Sequence, residues 1–135
     1  MFQKLASTVI MNNKNEVLLM LRDNKPGILN PGKWGLIGGH IEDRENALQT
    51  AIREIKEETG LIIKPKKLKS FITITNPHGN REVFLAKGIW TNKDIIKGEG
   101  QDIKFIKLKK ALLLPLGVDQ HYILSYLKSL NQHHK

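Results

Sequence analysis

The stretch "GGHIEDRENALQTAIREIKEETGL", Gly38 to Leu61, holds six of the thirteen acidic residues in a chain whose formal charge is +9. Residues 44–59 contain neither Pro nor Gly and are rich in Ala, Leu, Ile, Glu, Lys and Arg, which predicts a helix. Asp43 is placed to cap its start and Gly60 to end it. Ala47, Leu48, Ala51, Ile52 and Ile55 recur at helical spacing and form an apolar stripe. Glu54, Glu57 and Glu58 stand at i, i+3 and i+4, so their side chains converge on one face, with Glu58 at the edge of the stripe. Three like charges this close raise one another's pKa, and a carboxylate half turned toward a core is costly to desolvate. Arg53 reaches Glu57 at i,i+4, but Glu54 has only Thr50 and Glu58 at that spacing, so local bases leave the triad unneutralised.

Two readings follow: an exposed helix laced with ion pairs, or a cation site. Oxygen-only ligation suits Mg²⁺, Mn²⁺ or Ca²⁺ rather than zinc. Gly38 and Gly39, between a strand and this helix, favour the cation, because a glycine pair lets backbone approach a ligand closely. Together these features describe a phosphate site in which a metal supplies the positive charge. A P-loop is excluded, since no G-x-x-x-x-G-K-[ST] occurs in the chain.

Outward from the helix, "ASTVIMN" (6–12) and "EVLLML" (16–21) read as a hairpin turned by "NNKN", and "WGLIGG" (34–39) as a short strand entering the glycines. The intervening 23–33, with two Pro-Gly pairs, is loop. Downstream, "LIIKP", "LKSFITIT", "REVFLAKGIW" and "DIKFIKL" read as strands, with "NPHGN" turning a second hairpin. Residues 118–130 form a closing amphipathic helix whose expected inner face is Tyr122, Ile123, Tyr126, Leu127 and Leu130. This order predicts an α+β fold, an α/β/α sandwich with a mixed β-sheet, as a single domain over residues 1–135.

Composition bounds the function. The absence of Cys excludes disulfides, thiolate zinc sites and a cysteine nucleophile. No window approaches the roughly 20 apolar residues of a membrane span, and the N-terminus lacks a signal-peptide pattern, so a cytoplasmic protein without membrane association is expected. The basic balance predicts an anionic partner. The lysine runs Lys64–Lys69 and Lys104–Lys110 lack interleaved aromatic residues, so nucleic acid is a less favoured partner than a free nucleotide. His133 and His134 in the tail are read as frayed rather than as metal ligands.

The central stretch resembles the Nudix box, G-x5-E-x7-R-E-U-x-E-E-x-G-U, where U is bulky and aliphatic. Gly39, Glu45, Arg53, Glu54, Ile55, Glu57, Glu58, Gly60 and Leu61 fill every defined position. "LRDNKPGILNPGKWGLIGGHIED" is similar to the lead-in of bacterial MutT-type members, except that Ile37 stands where they often have Pro. The resemblance implies a Nudix fold and Mg²⁺- or Mn²⁺-dependent hydrolysis of a nucleoside diphosphate linked to a group X, such as an oxidised nucleoside triphosphate or a nucleotide sugar. By position it implies Glu54, Glu57 and Glu58 as metal ligands, with the Gly38 carbonyl as a further one. Arg53 orients the glutamates, Glu45 is structural or outer-sphere, and Glu54 or Glu99 is the general base, Glu54 being favoured. Arg22, His40 and Gly39 are expected to face substrate. Trp34 and Phe105 are read first as core and second as base-stacking rings. The family contains monomers and homodimers. An RNA 5′-pyrophosphohydrolase and a non-catalytic nucleotide-binding module are the alternatives.

Overall fold

A computed structural model describes residues 2–28, 30–98, 100 and 102–132. The order of elements is β1 (Gln3–Asn12), β2 (Glu16–Leu21), β3 (Trp34–Gly35), β4 (Ile37–His40), α1 (Ala47–Thr59), β5 (Lys69–Asn76), β6 (Gly79–Gly88), β7 (Asp102–Lys107), α2 (Leu108–Ala111) and α3 (Val118–Gln132). Short 3-10 turns occupy Pro65–Lys67 and Asn92–Asp94.

The strands form one mixed sheet. On one side β1 runs parallel to β6, which pairs antiparallel with β5. On the other side β1 and β2 meet near their hairpin, at Met11 and Val17, and then splay apart. The segment 34–40 enters the opening: Trp34–Gly35 pairs with β2 and Ile37–His40 with β1. The far edge of β2 is covered by β7. The β1–β2 turn is set by Asn12, whose Oδ1 accepts from the Lys14 and Glu16 amides at 3.0 and 3.1 Å, while Asn15 takes a left-handed φ of 59°.

Both faces of β1 and β2 are buried, which is why they read as nearly unbroken apolar runs. Ala6, Ile10, Leu18, Met20, Phe84 and Phe105 pack with Ala51 and Ile55 of α1. Val9, Met11, Val17, Leu19 and Val83 pack with Leu108 and Ala111 of α2 and Ile123, Leu124 and Leu127 of α3. The expected α/β/α sandwich is therefore present. Among the described residues no helix is long and apolar enough to cross a membrane.

Several expectations are corrected. Helix α1 starts at Ala47 with Asn46, not Asp43, as its cap: Asn46 Oδ1 accepts from the Gln49 amide at 2.8 Å and Gln49 Oε1 from the Asn46 amide at 2.9 Å. Arg44, at φ 69°, turns the chain before it. Gly60 does end the helix, at φ 78°. "LIIKP" forms no strand: Leu61 and Ile63 are buried and Ile62 exposed, so the segment alternates like a strand but has no ladder partner. On α3 the inner face is Ile123, Leu124 and Leu127; Tyr122 is exposed, and Tyr126 tilts against Phe71 with centroids 5.4 Å apart. Helix α2 is an addition to the reading. The His133–His134 pair lies outside the described residues.

Candidate active site

The site is assembled where β4 hands the chain to α1. Arg53 is its hub. The guanidinium binds Glu45 through two bonds, Nε to Oε2 at 2.7 Å and Nη2 to Oε1 at 3.0 Å. Nη1 donates to Glu54 Oε1 at 2.9 Å and lies 3.4 Å from both Glu57 oxygens. Nη2 reaches the His40 carbonyl at 3.3 Å and lies 3.6 Å from Glu42 Oε1. Two-point pairing of this kind gives orientation as well as energy. Glu45 is held in turn by the Thr50 hydroxyl at 2.8 Å and the Glu42 amide at 3.2 Å. The Arg53 hydrogen bond, above all, holds the Glu45 carboxyl down to about 2. Its bonds to Glu45, and then to Glu54, raise the pKa of Arg53.

The three glutamates occupy different environments. Glu57 is largely exposed, Glu54 is mostly covered, and Glu58 is buried, with 7% of its surface accessible. Glu58 Oε2 is buried without a hydrogen-bond partner. Burial, and then the neighbouring Glu54 charge, push the Glu58 carboxyl up to about 9, against the pull of Arg22 and the Gly38 backbone. The expectation of an unneutralised triad is corrected here, because Arg53 reaches Glu54 despite sitting one residue before it. Among the described residues no three carboxylate or imidazole groups already close into a metal cage. Arg53 binds both Glu54 and Glu57, and Glu54 at the same time lies against Glu58. The donor set nevertheless fits a hard divalent cation: oxygen ligands, adjacent like charges, and an orphaned buried carboxylate oxygen.

Gly38 and Gly39 lie within β4, opposite Ser7 and Ala6, rather than in a loop. A side chain at Gly39 would put its Cβ 2.7 Å from the Glu54 carboxyl carbon, so only glycine lets that carboxylate lie against the strand. Arg22, just past β2, has its Nε buried with no partner and acts electrostatically on Glu58; Asp23 lies 3.9 Å from Lys25 instead. The His40 side chain is exposed, and its carbonyl is what joins the network. Phe105 is buried in the α1-side core, and Trp34 is partly buried, with Lys104 Nζ 5.4 Å from its ring centroid. Glu99 lies outside the described residues.

A cleft adjoins Gly38 and Gly39 and is also lined by Arg22, Ser7, Arg81 and Gln120. It continues past Arg81 and Asn30 into a cavity of about 230 Å³ beside His78 and Asp119. Gln120 is fixed there by the Leu36 amide, which donates to its Oε1 at 2.7 Å. Neither Arg81 nor Gln120 figures in the sequence reading. The available signal for Arg81 is its phase: a cation two residues before Val83 on a buried strand face.

The model of the NUDIX domain matches residues 1–127. The chain is 44% identical over 59 residues to an ADP-ribose pyrophosphatase of Methanocaldococcus jannaschii, an overlap covering 44% of this chain and 33% of that protein. It thus spans about a third of the length of that relative. It is 33% identical over 134 residues to the nucleoside triphosphatase NudI of Salmonella typhimurium, covering 90% of this chain and 93% of that one. A crystal structure of a mutT/nudix family protein from Listeria innocua superposes with a TM-score of 0.79 at 24% identity, covering 98% of this chain and 95% of the other. The chain belongs to the Nudix family.

Proposed function

We propose that the chain hydrolyses the pyrophosphate linkage of a nucleoside diphosphate joined to a group X, using a divalent cation held by Glu54, Glu57, Glu58 and the Gly38 carbonyl. The observation that carries the reading is Glu58: a carboxylate buried beside Glu54, with one oxygen orphaned, is unfavourable unless a cation or a proton occupies the site. Two named relatives support the substrate class, since ADP-ribose and nucleoside triphosphates both have this form.

The cation, when bound, neutralises the anionic pyrophosphate and orients a water against it. The chain's own residues do the rest. Glu54 accepts a proton from the attacking water as the new O–P bond forms and the bridging P–O bond breaks, the electron pair leaving with the departing phosphate. Arg53 keeps Glu54 and Glu57 oriented, and Glu45 keeps Arg53 in place. Arg22 and Gly39 face the substrate phosphates.

The test is turnover with Mg²⁺ on a panel of nucleoside triphosphates, nucleotide sugars and ADP-ribose. One class is cleaved, and Glu57→Gln lowers turnover about a hundredfold or more while the circular-dichroism spectrum is unchanged. Absence of turnover across the panel would favour a binding module, and full activity in the variant would remove Glu57 as a ligand.

A further inference from the structure

The basic run "KPKKLK", Lys64 to Lys69, is a feature of the sequence that the reaction above leaves unused. Its fold gives it a defined shape. Pro65 opens the 3-10 turn Pro65–Lys67, in which the Lys67 amide donates to the Lys64 carbonyl at 2.9 Å and the Leu68 amide to the Pro65 carbonyl at 3.1 Å. Leu68 is buried in the α1-side core and anchors the turn, while the lysines on either side of it stay at the surface. Lys69 then starts β5 opposite Leu85 of β6, and Lys87 follows two residues later on the same face as Leu85. Lys66, Lys67, Lys69 and Lys87 thereby surround one depression of about 370 Å³, with Leu85 as the remaining lining residue.

This depression is separate from the carboxylates. Lys87 lies beside Met11 in the β1–β6 register, whereas Gly38 lies beside Ser7, about 13 Å further back along β1. No carboxylate lines it, and among the described residues none of the four lysines has an acid within ion-pairing distance. Ammonium groups gathered without acids repel one another, and a polyanion that enters removes the repulsion. The volume suits a small molecule. Each ammonium is a compact charge with three donors on a flexible stem, which matches the oxygens of a phosphate, and the stems cover Leu85 with further apolar surface. No aromatic ring lines the depression, so nothing there stacks on a base and recognition falls on the phosphates. The second basic run is used differently. Lys104 pairs with Asp102 at 3.4 Å and lies over Trp34, and Lys107 Nζ donates to the Lys14 carbonyl.

We propose that Lys66, Lys67, Lys69 and Lys87 form a second anion site, remote from the carboxylates, that takes a compact chain of phosphates. It does not depend on the hydrolytic reading above. The probe is tripolyphosphate, titrated in EDTA and followed through the backbone amide resonances of ¹⁵N-labelled protein. The amides of Lys66, Lys67, Lys69, Leu85 and Lys87 shift together and saturate, and the affinity falls as NaCl is raised, because exposed charges are screened. Lys67 and Lys87 are exposed, so the double variant Lys67→Ala/Lys87→Ala keeps the fold. It weakens binding at these amides about tenfold, an exposed ion pair contributing up to about fivefold. Arg22→Gln, in the cleft beside Gly38, leaves binding here unchanged. ATP competes for the site with no advantage over tripolyphosphate, since the base is not read. Shifts confined to the cleft beside Gly38, a response that does not saturate, a marked preference for ATP, or equal affinity in the double variant overturns the proposal. A short 5′-hydroxyl RNA that binds these amides more tightly than tripolyphosphate also overturns it, and makes the lysines a surface for an extended RNA backbone instead.

Discussion

At the scale of single residues, Gly39 and Glu54 are mutually dependent. The Glu54 carboxylate occupies the space a side chain at 39 would need. Gly39→Ala is therefore expected to push Glu54 off its position and cut turnover by about a hundredfold, the cost of an ångström-scale misplacement. Residue 39 has no left-handed φ, so its melting temperature should change little; a comparison of kcat with a thermal melt checks both parts. Glu58 makes a second prediction. Its folded pKa, about 9, lies above its ordinary 4.5, so the folded state holds this proton more tightly than the unfolded one. The resulting stabilisation is complete below about pH 4.5 and is lost as pH rises toward 9. Glu45 has the opposite sign: its contribution is present above 4.5 and lost as pH falls toward 2. Urea unfolding in EDTA from pH 5 to 9 should show wild type losing stability relative to Glu58→Gln as pH rises. A relative gain would mean that Glu58 is not buried uncompensated.

At the scale of elements, α1 couples an apolar stripe to the carboxylate edge proposed to hold the cation. Ile55 is 1% exposed in the α1-side core, and Ile55→Ala should cost about 2–5 kcal/mol. Asn46→Ala removes the capping box and should cost about 1 kcal/mol. Denaturant titrations of the two variants give both values, and an Asp43→Ala variant should be close to neutral. This helix also shows what a sequence makes legible. Its stripe, its glycine stop and its glutamate spacing are local patterns, readable from residues three and four apart. Its start is not legible in the same way, because Asp43 and Asn46 are both good caps and only the reciprocal Asn46–Gln49 bonds decide between them. "LIIKP" misled for a related reason: alternation reports which side chains are buried, not whether a neighbouring strand exists to pair with.

At the scale of the whole molecule, the functional region depends on long-range pairing. Arg81 joins Arg22 only because β6 runs parallel beside β1 and because β1 and β2 part to admit residues 34–40. No local pattern announces this, so the glutamate cluster of α1 is legible in the sequence and the cleft beside Gly38 is not. Glu58 Oε2 and Arg22 Nε are both buried without a partner. Under the proposed function a cation and a phosphate together satisfy them. The central claim is that the α1 carboxylates hold that cation, and Mn²⁺ titration followed by electron paramagnetic resonance at pH 8 tests it most directly. The wild-type protein should bind Mn²⁺ and Glu58→Gln should bind it at least about tenfold more weakly, in keeping with the loss of a charged ligand. Equal binding by the two proteins, or none by the wild type, would contradict the account.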